Sequence, residues 1–127
     1  MQDNFKNKLE PLMGLINQKG LELADVITMA SIIEKEVQTK EDKEMVSGVL
    51  WKRLRVGMPL QVDAEMWTYD NRGLPPNPIS NPGLESIEAA ISPKENIYWY
   101  YLSTPEGETI FSRTLEEHNI AVFKYLR

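Results

Sequence analysis

The strongest constraint on this chain is one segment, residues 24–38, ADVITMASIIEKEVQ. Val26, Ala30, Ile33 and Val37 recur at spacings of four, three and four, and Met29 and Ile32 widen the stripe. Apolar residues at this period form an amphipathic helix. A stripe this wide must be covered on several sides, so the segment predicts a central helix around which the rest of the chain packs.

The neighbouring segments supply that cover. Residues 5–18 place Phe5, Leu9, Leu12 and Ile16 at helical spacing, with Pro11 expected near the helix start and Gly20 as its stop. Thr39 is placed to cap a third helix with Asp42 at its third position. That helix carries Met45, Val46, Val49, Leu50 and Leu54 and ends at Gly57. Gly48 in its middle costs about 1 kcal/mol relative to alanine, and close approach of a neighbouring helix would account for it.

The second half changes character. Residues 58–66 (MPLQVDAEM) read as extended, and 73–83 (GLPPNPISNPG) hold four prolines in eleven residues, a stiff loop. Asn81-Pro82 reads as a helix cap and first-turn proline opening LESIEAAI. IYWYYLS (97–103) and GETIFS (107–112) read as a β-hairpin, and TLEE (114–117) as a capping box opening a last helix through Val122 and Leu126. Helices first, then a hairpin and a closing helix, give an α+β fold: several helices packed with a small antiparallel sheet.

Composition narrows the chemistry. With 127 residues, 42% of them hydrophobic, the chain has the size of one domain that folds without a staple. It has no cysteine and one histidine, His118, which leaves no cysteine nucleophile, disulfide or histidine-built zinc site, and no cofactor is expected. Net charge is −5 with scattered Lys and Arg, so nucleic acid is not an expected partner. No apolar run is long enough to span a membrane.

Glu34 lies mid-way along the apolar helix. Burial against apolar surface would disfavour its charge and raise its pKa, the condition for a general acid near neutral pH; the alternative is a surface glutamate paired with Lys35 or a residue one turn away. Glu36 is two residues on, a rotation of about 200°, so it points to the opposite face. Asp63 is then the best second carboxylate. Gln61, Asp63, Thr68, Tyr69, Asn71 and Asn81 gather on extended and proline-stiffened segments, a polar wall suited to sugar hydroxyls. Trp51, Trp67 and Trp99 are candidate stacking platforms, but Trp99, with Tyr98, Tyr100 and Tyr101, reads rather as alternating between the core and solvent faces of a strand, and His118 as structural.

Several motifs in order carry a resemblance. MASIIEKE (29–36), VLWKRLRVGMPLQVD (49–63), GLPPNPISNPGLESIEAA (73–90) and the segment from Tyr98 to Leu126, with its His118-Asn119 pair, are together similar to the catalytic region of the MltG (YceG-like) endolytic peptidoglycan transglycosylase family. The resemblance covers about residues 20–127. It implies cleavage of the β-1,4 bond between N-acetylmuramic acid and N-acetylglucosamine in nascent glycan strands, leaving 1,6-anhydro ends, with the family's catalytic glutamate on Glu34; Gln61, Asp63, Tyr69 and Asn81 of the polar wall are then the expected substrate contacts. It further implies a membrane-anchored protein acting outside the cytoplasmic membrane, with peptidoglycan as substrate and peptidoglycan synthases as partners. Residues 1–127 are then one catalytic domain, a fragment without the family's membrane helix and LysM-like subdomain. The rival readings are a hydrolytic muramidase and a non-catalytic glycan-binding module. The chain departs from the family where Asp63 runs almost directly into Trp67-Thr68-Tyr69 and where Lys52 precedes Arg53-Leu54.

Overall fold

In a computed structural model, backbone is described for residues 2–126 and side chains for residues 9–126. The order is α1 (Gln2–Gln18), α2 (Leu23–Glu36), α3 (Lys40–Arg55), α4 (Trp67–Asp70), α5 (Leu84–Ile91), β1 (Tyr100–Ser103), β2 (Thr109–Ser112) and α6 (Leu115–Tyr125). The α+β reading holds. The two strands pair antiparallel, with Tyr101 opposite Phe111 and Leu102 opposite Ile110.

α2 is the buried axis. Val26, Met29, Ala30, Ile32 and Ile33 are fully shielded, and they meet Ile87, Ala90 and Ile91 of α5, Val46 and Leu50 of α3, and Ile16 of α1. The short helix α5 touches α1, α2 and α3 alike, and α6 lies against the hairpin. Among the described residues no helix is long and apolar enough to cross a membrane.

The expected caps form. Thr39 Oγ1 accepts from the Asp42 N–H, and Thr114 Oγ1 accepts from the Glu117 N–H. Glu117 reaches back to the N–H of Arg113 rather than that of Thr114, a capping box displaced by one residue. α1 and α3 both end in a glycine at positive φ, Gly20 at 70° and Gly57 at 76°. In each case the next residue's N–H returns to a carbonyl five residues back (Leu21 to Ile16, Met58 to Arg53), the Schellman closure.

Four local expectations are corrected. Pro11 lies inside α1 and does not start it. Leu9, Leu12, Met13 and Ile16 around it pack on the core, and that packing overrides the local penalty; Phe5 lies outside the residues whose side chains are described. Gly48 is indeed pressed close, but by the 93–96 loop and not by a helix: a Cβ there would lie 2.2 Å from the Lys94 carbonyl oxygen. Residues 58–66 make no strand. Leu60 and Val62 are buried while Gln61 takes φ 55°, and buried Thr68 ties the segment together, accepting from the Val62 N–H and donating to the Glu65 carbonyl. Finally, α5 begins two residues later than Asn81-Pro82 suggests. Gly83 occupies its cap position, with no side chain of its own to offer.

Candidate active site

The missing cap on α5 is supplied from α2. Glu34 Oε1 accepts from the Gly83 N–H at 3.0 Å and from the Ser86 hydroxyl at 2.7 Å. Lys43, buried on α3, stands 3.8 Å from the same oxygen and 3.7 Å from Glu85. The proline loop is laid along this face of α2 by two more bonds, Ile79 N–H to Ser31 Oγ and Ser80 Oγ to the Ser31 carbonyl. Donors at a helix N-terminus favour an anion. The Gly83 amide and then the Ser86 hydroxyl pull the Glu34 pKa down, outweighing a smaller upward push from burial, with Lys43 adding to the fall. The expectation that Glu34 is a carboxyl kept neutral by apolar surroundings is therefore overturned. Its environment is a set of hydrogen-bond donors that favour the ionised form.

The other face of α2 opens differently. A cleft of about 430 Å³ is enclosed by the end of α2, the 60–69 segment, β1 and α6. Glu36, Arg53, Gln61, Asp63, Tyr69, Tyr100, Tyr101 and His118 line it, with Leu102, Leu115 and Val122 as apolar wall. Glu34 and Asn81 are not among its lining residues, and neither are the three tryptophans. Trp51 instead donates its ring N–H to the Ala90 carbonyl, and Trp99 lies under the Lys52 ammonium.

Within the cleft Glu36 is the carboxyl whose pKa is raised. Burial raises its pKa, Asp63 across the cleft raises it further, and a 2.5 Å hydrogen bond donated by the Tyr101 hydroxyl to Oε1 opposes the rise without cancelling it. Asp63 is engaged by a second tyrosine, since the Tyr69 hydroxyl donates to Asp63 Oδ1. Burial and that carboxylate push the Tyr69 phenol up to about 12, so it stays protonated at any working pH. Arg53, only 4% exposed, is fixed by three main-chain carbonyls, those of Trp99, Pro59 and Leu60, and its guanidinium lies over the Tyr100 ring. His118 stacks on the other partner of this arrangement, 5.3 Å from the Tyr100 centroid, and burial holds its pKa down.

Of the residues singled out in the sequence, Gln61, Asp63 and Tyr69 come together here. Glu36, Tyr101, Arg53 and His118 join them unforeseen. For Glu36 a signal existed: Met29, Ile32 and Ile33 stand seven, four and three residues before it, and all three are fully buried. Glu36 prolongs the large apolar line of the stripe, whereas Glu34 follows Ala30 and Ser31, equally buried but small.

A sequence profile described as the YceG-like family matches residues 1–67 and 67–124, nearly the whole chain. The chain belongs to the YceG-like family. A relative from Bacillus subtilis named endolytic murein transglycosylase is 37% identical over 123 residues, covering 80% of this chain and 34% of its own length. One of the same name from Streptococcus pneumoniae is 27% identical over 146 residues, covering 93% of this chain and 26% of its own. The crystal structure of a YceG-like protein from Listeria monocytogenes superposes with a TM-score of 0.84 at 34% identity, over 89% of this chain and 44% of that one. The present chain thus spans about a third or less of the curated relatives' length.

Proposed function

We infer that residues 1–127 are the catalytic domain of an endolytic murein transglycosylase, and that Glu36, not Glu34, is its acid/base. The observation carrying this reading is a single carboxyl side chain whose pKa is raised by burial and which lines a cleft of saccharide dimensions with Gln61, Asp63 and Tyr69. A group poised in this way suits general acid catalysis near neutral pH.

In the reaction, the neutral Glu36 carboxyl gives its proton to the glycosidic oxygen as the bond to the anomeric carbon of N-acetylmuramic acid breaks. The resulting carboxylate takes the proton of the same sugar's 6-hydroxyl, whose oxygen closes on that carbon. No water enters, and one carboxyl serves in turn as acid and base. Intramolecular attack supplies the nucleophile already in place. Gln61 and the Tyr69–Asp63 pair would orient sugar hydroxyls, and the Asp63 charge would favour positive character at the anomeric carbon. Asn81, outside the cleft, is assigned at most a contact with a longer strand. The substrate places the reaction outside the cytoplasmic membrane. A membrane anchor on the full-length protein and peptidoglycan synthases as partners follow from the family reading.

Mass spectrometry of digested cell wall tests this. Glycan ends one water lighter than hydrolysed ends are expected, and Glu36→Gln is expected to lower their formation by roughly 10²- to 10⁴-fold. Reducing ends as the main product would instead make the enzyme a muramidase. Undiminished cleavage by Glu36→Gln would remove Glu36 from the chemistry, and glycan bound but never cut by the unaltered protein would make it a binding module.

A further inference from the structure

The Glu36 carboxyl has two oxygens, and one of them is already engaged. Tyr101 stands on β1, paired in register with Phe111, whose ring packs 6.4 Å from its own. Strand pairing and ring packing support the phenol in this orientation. Its hydroxyl donates to Glu36 Oε1 at 2.5 Å. An oxygen accepting so short a bond from a phenol is not the oxygen that carries the acid's proton.

We propose that Tyr101 is a positioning residue for Glu36: its hydroxyl, anchored by β1, occupies Oε1, so the proton delivered to the glycosidic oxygen sits on Oε2. This rests on the reading of Glu36 as acid/base. The donor also follows the reaction, because once Oε2 has given up its proton the Tyr101 O–H bond becomes charge-assisted and steadies the carboxylate. Burial and the Glu36 charge hold the Tyr101 pKa well above its ordinary range, so the phenol remains a donor throughout. The other ionisable groups facing the cleft are Asp63 on the 60–69 segment, Tyr69 on α4, Arg53 on α3 and His118 on α6. Tyr69 is occupied by Asp63 and Arg53 by main-chain carbonyls, which leaves Tyr101 as the donor to Glu36 among the described residues.

The test is Tyr101→Phe in the full chain, read as a pH profile of kcat on glycan strands. Removing a donor that favours the charged form raises the Glu36 pKa. The basic limb, where the acid loses its proton, is expected to move up by about one pH unit, with kcat at the optimum about tenfold lower and KM within twofold. A basic limb that stays in place, or a loss carried by KM, overturns the proposal. Direct ¹³C observation of the Glu36 carboxyl gives the same shift without turnover. Should Tyr101→Phe fail to fold, the wild-type Tyr101 hydroxyl proton serves: its resonance is expected far downfield, moving with pH in step with the basic limb, and a resonance that ignores pH overturns the proposal. The two readings fail separately. Cleavage surviving in Glu36→Gln defeats the function proposed above, whereas an inactive Glu36→Gln with an unmoved limb in Tyr101→Phe defeats only the role of Tyr101.

Discussion

Removing Glu34 should weaken the fold and spare the chemistry. Its Oε1 takes the Gly83 amide at the cap of α5 and the fully buried Ser86 hydroxyl, and it faces buried Lys43. Hydrogen bonds to a charged group contribute about 1.5–3 kcal/mol when shielded and a helix cap about 1 kcal/mol. The Glu34 side chain keeps 35% of its exposure, however, so screening brings the whole carboxylate down to roughly 1–2 kcal/mol. Glu34→Ala strands the Ser86 hydroxyl and should cost that amount, a fall in Tm of roughly 4–7 °C for a chain of this length. Glu34→Gln keeps an acceptor and loses the charge, so about half is expected. Folding lowers the Glu34 pKa from its ordinary value of 4.5. The charge contribution is therefore complete above that value and lost as pH falls through the lower folded one, and wild type and Glu34→Gln should converge in stability at acid pH. Calorimetry from pH 3 to 7, beside cleavage assayed below the lower Tm, checks both halves. A Glu34→Gln protein that unfolds like wild type yet cuts no glycan would refute this reasoning and return Glu34 to the active site.

Glu36→Gln should show the opposite trend. Folding raises the Glu36 pKa, so stability present below 4.5 is lost as pH rises through the folded value, and the Tm of the variant should gain on wild type from pH 4 to 8; parallel curves would mean the carboxyl is not desolvated. Gly48→Ala should lower stability by about 1–3 kcal/mol in urea unfolding despite the better helix former, because its Cβ would meet the Lys94 carbonyl oxygen at 2.2 Å and Asn96 Nδ2 at 2.8 Å; a gain would show that the 93–96 loop yields freely. Ser47→Ala should raise stability by about 1 kcal/mol, since the buried Ser47 hydroxyl has no partner among the described residues; a loss in the same measurement would reveal a bond to that oxygen.

Much of this architecture is written locally and was legible for that reason. The α2 stripe, the Thr39 and Thr114 caps, the Schellman glycines and the two runs that pair as the hairpin each need only their own few residues. What escaped depends on distant partners. The start of α5 looks capped by Asn81 until Glu34, 49 residues away, is seen to cap it. Residues 58–66 look extended because the knot at Thr68 cannot be inferred from alternation. Tyr101 looks like one more strand aromatic until α2 brings Glu36 to its hydroxyl.

The contrast between the two glutamates has the same origin, and under the function proposed above one short motif serves both fold and chemistry. Glu34 and Glu36 share a helix that is buried on nearly every side, so periodicity tells that both carboxyls meet protein but not which protein. Two residues of α-helix turn the second carboxyl about 200° from the first. One therefore enters the N-terminus of α5, where amide and hydroxyl donors keep it charged. The other enters a cleft where burial and Asp63 favour its proton. Identical side chains separated by Lys35 have their pKa values driven in opposite directions by what each face of α2 touches. Glu34 ties α5 to the helix that carries Glu36, so under the proposed function it holds still the frame in which Glu36 works.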